Sequence, residues 1–153
     1  MGTFKRILIA TDFSAASAPA FAKAIAIAKQ NDALLLVVHA YEQANLPDLG
    51  YAAAAAYSDW DRELRSHAEQ SLESLAREAQ AQGVNTKTMA IKGFPEEAIV
   101  AAASENSAEL IVIGTHGRRG AARFFLGSVA SRVISSAPCP VLTVRCASEK
   151  ASV

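Results

Sequence analysis

The sequence predicts a doubly wound α/β sandwich built around a mostly parallel five-stranded sheet. Three observations carry that prediction. Five short apolar runs occur along the chain, Arg6–Ala10, Leu34–Val38, Thr86–Ile91, Leu110–Ile113 and Val141–Val144. Between them lie four segments of helical periodicity, the alternation expected of parallel sheets with crossover helices. After the fourth run the chain reads Gly114-Thr115-His116-Gly117-Arg118-Arg119-Gly120, then Gly127-Ser128-Val129. A strand, a glycine turn, a cationic loop and a Gly-Ser helix start together compose a phosphate cradle.

The first run, Ile7-Leu8-Ile9-Ala10, has no polar alternation, as in a strand covered on both faces, and stops at Thr11-Asp12. From Ser14 the pattern turns helical, with Ala18, Phe21, Ala22, Ile25 and Ala28 on one face and Pro19 in the first turn. Asn31-Asp32 breaks this helix before the second strand, Leu34–Val38. The pattern weakens from Glu42 to Tyr57, where Pro47, Asp48 and Gly50 mark a loop; Ala52 to Ala56 read as either helix or loop. A helix is predicted from Asp59 to Gln82, with Leu64, Ala68, Leu72, Leu75 and Ala79 inward and Gly83 as its stop. Trp60 and Tyr57 at its start read as packing residues.

Thr86–Ile91, part polar and part apolar, reads as a half-exposed edge strand. Pro95 opens the next helix, with Glu96 and Glu97 at its positive end and Ile99, Val100 and Ala103 inward. Gly127 to about Ser136 forms the fourth helix, and Pro138-Cys139-Pro140 forces an extended approach to the last strand. Cys139 reads as a small apolar filler. Residues 1–146 make one domain and 147–153 a tail.

Composition bounds the function. The 153 residues carry 15 basic and 15 acidic side chains and are 51% hydrophobic. That balance has neither the basic excess of a nucleic-acid binder nor the polybasic run of a membrane-surface protein. No stretch reads as a transmembrane span or signal peptide, and two cysteines do not make a disulfide framework. A cytoplasmic protein with no nucleic-acid or membrane partner is expected.

In doubly wound sheets, ligands bind beyond the carboxyl ends of the strands where the winding reverses. Asp12 stands there after the first strand and the cradle after the fourth. Gly114 and Gly117 are expected to supply positive φ or close backbone approach, and Ser128 a hydroxyl at the helix start. The N–H groups of that helix start favour an anion. Arg118, Arg119 and Arg123 offer cations, and His116 a donor, to phosphate oxygens. Asp12 has two readings: a group that holds a phosphate-bridging metal or a nucleoside, or the acceptor of an Asx turn. His39 reads as a partly buried, satisfied histidine. The Walker Gly-Lys-Ser/Thr motif is absent, and no nucleophile–base arrangement can be assembled, so binding is favoured over turnover.

Lys5-Arg6-Ile7-Leu8-Ile9-Ala10-Thr11-Asp12-Phe13-Ser14, Val38-His39-Ala40, Gly93-Phe94-Pro95, Gly114-Thr115-His116-Gly117 with nine residues before Gly127-Ser128, and Pro138 to Val144 together resemble the universal stress protein family. The glycine spacing is similar to that of its ATP-binding branch. The resemblance implies strand order 3-2-1-4-5 and ATP, with Mg, as the ligand; the chain itself offers no metal site beyond Asp12 through Mg-phosphate. It implies that Asp12 and the backbone near Ala10 and Ala40 meet the adenosine end. Gly114, Gly117, Gly127, Ser128 and Val129 would hold ribose and phosphates. It further implies a homodimer through Val141, Leu142, Thr143 and Val144, which suits an exposed apolar edge. Ala10 and Ala40 depart from the proline and valine that some nucleotide-binding relatives carry. The function implied is an ATP-dependent switch or scaffold in stress response, read by a protein partner. The alternatives are a slow ATPase or phosphotransfer enzyme, and a nucleotide-free dimeric interaction module.

Overall fold

A computed structural model describes residues 2–42, 50–116 and 126–146. Its five strands are β1 (Arg6–Ala10), β2 (Leu34–Tyr41), β3 (Thr86–Lys92), β4 (Leu110–Gly114) and β5 (Val141–Val144). They form one parallel sheet in the order β3-β2-β1-β4-β5. The helices are α1 (Ala18–Asn31), α2 (Tyr51–Ala81), α3 (Pro95–Glu105) and α4 (Ser128–Ser136). This is the predicted doubly wound fold with the expected strand order.

Strand alternation divides the core into two layers. Ile7, Ile9, Leu35, Val37, Leu110 and Val112 pack with Phe21 and Ile25 of α1 and Leu72 of α2. Leu8, Ala10, Leu36, Val38, Ile111 and Ile113 pack on the other face with Ile99 of α3 and Ala130 and Val133 of α4. The three central strands are buried on both faces, which is why their sequences read as continuous apolar runs. β3, at one edge, is half-exposed as expected, but its burial does not alternate: Lys87 and Thr88 are both exposed, and Met89, Ala90 and Ile91 are all half-buried.

Several helix details differ from the sequence expectation. A 3-10 turn, Ala15–Ser17, precedes α1 and shifts its inward face: Ala20 and Ala24 are buried, whereas Ala18 and Ala22 are exposed. Asp32 ends the helix in the left-handed region, with φ 52°. In α2 the predicted Ala68, Leu72 and Ala79 are buried, joined by Ala76, while Leu64 and Leu75 are half-buried. In α3, Ala98 and Ala102 join Ile99 and Ala103 inside, leaving Val100 half-buried.

The largest difference is the start of α2, at Tyr51 instead of Asp59. Its 31 residues span roughly 46 Å, whereas β3, with 7, spans roughly 23 Å. Lys92 at the carboxyl end of β3 fastens the helix, with Nζ 2.9 Å from Asp61 Oδ1 and 5.4 Å from the centre of the Tyr57 ring. The Asp61 hydrogen bond raises the Lys92 pKa. The turns before Tyr57 run past the strand, leaving Tyr51 98% exposed. Tyr57 is half-buried, as expected of a packing residue, whereas Trp60 is 45% exposed.

Candidate functional site

The winding reverses between β1 and β4, which lie side by side with Ala10 opposite Ile113. β1 also pairs with β2, Ala10 opposite Val38, so three strands end together. Ala10 is buried and Ala40, two residues further along β2, is half-buried. By strand alternation both lie on the α3/α4 face.

The turn after β1 is held by its own polar groups. Thr11 N–H continues the ladder to Val38 O at 3.0 Å, and Thr11 Oγ1 accepts the Phe13 N–H at 3.1 Å. Asp12 Oδ1 accepts both the Ser14 N–H, at 2.9 Å, and the Ser14 hydroxyl, at 2.5 Å. Asp12 therefore forms an Asx turn, the second of its two sequence readings, at the place the first requires.

β4 delivers Gly114, Thr115 and His116 to the same crevice. Gly114 packs against the turn before α1: a Cβ there would lie 3.5 Å from Ala16 O and 3.8 Å from Ser17 Cα. Its φ is not positive, so of its two expected roles the positive φ is corrected: the ladder continues to Val144 and keeps the backbone extended. Thr115 is buried; its N–H donates to Val144 O at 3.1 Å, and its Oγ1 lies 2.9 Å from His116 Nδ1. Gly117, Arg118, Arg119, Gly120 and Arg123 lie outside the described residues.

The chain is next described at Leu126, and α4 begins at once. Gly127 occupies the N-cap, not Ser128, which is the first helical residue with an exposed side chain. Gly127 N–H donates to Thr115 O at 2.6 Å, and a Cβ on Gly127 would stand 2.8 Å from that same oxygen. Its φ of -59° is available to any residue. Gly127 is required by proximity, and no side chain fits at the position where serine or aspartate usually caps a helix. The first-turn N–H groups thus receive no acceptor from their own N-cap. Around them, α4 is tied to α3 by Arg132 Nη1, 2.5 Å from Glu96 Oε1. The Glu96 carboxyl is held below its ordinary pKa first by a backbone N–H at the start of α3, then by Arg132. Burial alone pushes up the pKa of Cys139, which packs against the α3/α4 layer as its reading as a filler requires.

Small Ala10 and Ala40, the Asp12 carboxylate and a helix start without a side-chain cap thus offer apolar surface, acceptor oxygens and N–H donors at the same end of the sheet. A model described as the universal stress protein family matches residues 3–145. This chain belongs to the universal stress protein family.

Among the members it resembles, a universal stress protein of Methanocaldococcus jannaschii is 37% identical over 142 residues, covering 93% of this chain and 82% of the relative. One from Thermus aquaticus is 39% identical over 143 residues, covering 93% and 99%. The universal stress protein UspA of Lactobacillus plantarum superposes with a TM-score of 0.82 at 26% identity, covering 92% of this chain and 97% of that one. A universal stress protein crystallised in complex with cAMP superposes at 0.70 with 26% identity, covering 93% and 97%.

Three features of the site were not read from the sequence: the steric reason for Gly127, the left-handed Phe13 with φ 63°, and the contact of His39 with the turn after β1. Among the described residues, no helix is long and apolar enough to cross a membrane, and no three His, Cys, Asp or Glu side chains group as a metal site.

Proposed function

We propose that this universal stress protein binds ATP, with Mg, in the crevice between the ends of β1 and β4 and acts as a nucleotide-dependent switch or scaffold in the cytoplasm. One observation carries the reading: an α-helix opens there on a glycine N-cap that has no room for a side-chain acceptor. A phosphate supplies what the N-cap lacks, both the acceptor oxygens and the negative charge favoured at a helix N-terminus. Ser128 and Val129 would take part in holding the phosphates, Asp12 the ribose or the Mg, and Ala10 and Ala40 would leave space for the adenine. The loop between Gly114 and Leu126 would engage the triphosphate, and a protein partner would read the resulting surface. A cAMP complex of a relative supports the adenine nucleotide class.

Denaturant unfolding with and without ATP-Mg tests this. At a hundredfold its dissociation constant the nucleotide is expected to stabilise the protein by about 2.7 kcal/mol. Asp12→Asn keeps an acceptor for the Ser14 amide, so its own stability should stay within about 0.5 kcal/mol of wild type, while the nucleotide gain shrinks. An unchanged midpoint at millimolar ATP-Mg would sink the reading.

The same proposal makes the protein a homodimer through β5. Supporting it, β5 is an edge strand of the sheet, and its Leu142 is 36% exposed. Pro140 O and Val144 O accept from β4, so by parallel-ladder alternation the backbone of Val141 and Thr143 faces away from it. Thr143→Pro removes an outward donor and leaves the β4 ladder intact. Sedimentation at micromolar concentration should find a dimer for the wild type and a monomer for this variant; equal masses would place the interface elsewhere.

A further inference from the structure

We propose that His39 is a positioning residue: its ring and its Nδ1–H set the Thr11–Ser14 turn and so the direction of the Asp12 carboxylate. β2 continues past the end of β1, which brings His39 alongside the first residues beyond the sheet. Strand alternation puts His39 on the α1/α2 face with Leu35 and Val37, opposite Ala10 and Ala40. It therefore reaches the turn from behind the crevice.

Two contacts connect it to the turn. His39 Nδ1 lies 2.8 Å from Thr11 O. A carbonyl oxygen only accepts, so the proton of this bond sits on Nδ1. The His39 ring also lies against Phe13, with centroids 4.2 Å apart and planes tilted by 32°. Phe13 is the residue that needs holding, because a bulky aromatic at φ 63° occupies a backbone region it seldom adopts. That conformation turns the chain so that the Ser14 N–H comes back to Asp12 Oδ1. Released to an extended conformation, Phe13 would carry Ser14 away and the Asx turn would open. The dependence runs from His39 through Thr11 O and the Phe13 ring to the carboxylate. A satisfied core histidine needs only one partner; this one is bonded to one end of a strained turn and stacked on its middle.

The consequence for binding rests on the function proposed above, while the effect on the turn does not. Three variants separate the contacts: His39→Asn keeps a donor near Nδ1 without the ring, His39→Phe keeps a ring without the donor, and His39→Ala keeps neither. Two readouts are needed, amide hydrogen exchange at Phe13 and Ser14 against Leu36 and Ile111, and the ATP-Mg dissociation constant by calorimetry. His39→Ala is expected to exchange about tenfold faster at Phe13 and Ser14 and to bind ATP about tenfold more weakly, the scale of one hydrogen bond plus one ring contact. Core amides should keep their rates, and the Asn and Phe variants should each recover part of both losses. Wild-type exchange in His39→Ala overturns the proposal, as does a loosened turn with unchanged affinity, which would leave His39 a packing residue only. If His39→Ala fails to fold, the Asn and Phe variants decide by the same two readouts. A wild type that binds no ATP would refute the proposed function, and the exchange rates would still decide whether His39 sets the turn.

Discussion

Gly127→Val is expected to lower the unfolding free energy by about 3 kcal/mol, the upper part of the range for forcing extra carbon into a packed site. The Cβ would begin 2.8 Å from Thr115 O and 3.8 Å from His116 Cα, and all of these neighbours are backbone. No side chain can swing aside, so α4 must move off the end of β4. That movement also breaks the 2.6 Å bond from Gly127 N–H to Thr115 O, because one oxygen is both the acceptor and the obstacle. Backbone strain does not contribute, since φ -59° and ψ 154° suit valine. Urea unfolding should show a lower midpoint at constant slope. Displacement of the helix start should also remove most of the stabilisation by ATP-Mg. A loss below about 0.5 kcal/mol, the size of an ordinary surface change, would mean that α4 does not sit on β4 as described.

The site was legible in the sequence to the extent that its geometry is local. Glycine at 127 and serine at 128 signal a helix start, and a strand ending at Asp12 signals the switch crevice. The reason for glycine is tertiary: Thr115 O comes from another element, and spacing alone does not distinguish a glycine wanted for positive φ from one wanted for closeness. Gly114 reads as a glycine for positive φ or close approach and Gly127 as part of a helix start, and neither has positive φ. The same limit hid His39, whose partners Thr11 and Phe13 lie in the turn after a different strand. The strands were legible because burial on both faces writes an unbroken apolar run; the predicted bounds of β1 and β5 are those observed. The start of α2 was not, since Tyr51 to Ala56 have high helix propensity but no contrast between faces. Periodicity reports packing, and those first turns run beyond the sheet they would pack on.

Leu72→Ala is expected to cost about 3 kcal/mol, within the range for truncating a buried leucine, and to leave ATP affinity unchanged. Of the 31 residues of α2, only Ala68, Leu72, Ala76 and Ala79 are buried, and Leu72 is the one large side chain among them. The three alanines let the helix approach the sheet; Leu72, 1% exposed, fills the space between α2, α1 and the strands. The exposed ion pairs Arg65–Glu69 and Arg77–Glu73 stabilise the helix itself and do little to hold it to the sheet. Lys92 and Asp61 fasten it near the carboxyl end of β3, separated from β1 by one strand and from β4 by two. Removing the leucine therefore loosens the hold of α2 on the sheet while leaving the contact of α4 with the end of β4 in place. Set beside Gly127→Val, a loss of similar size at the other end of the fold separates two explanations for weakened nucleotide binding. If binding follows global stability, both variants lose it; if it follows the placement of α4 against β4, only Gly127→Val does. Equal loss of affinity in the two, measured below their unfolding transitions, would remove the helix start from its role in holding the phosphates.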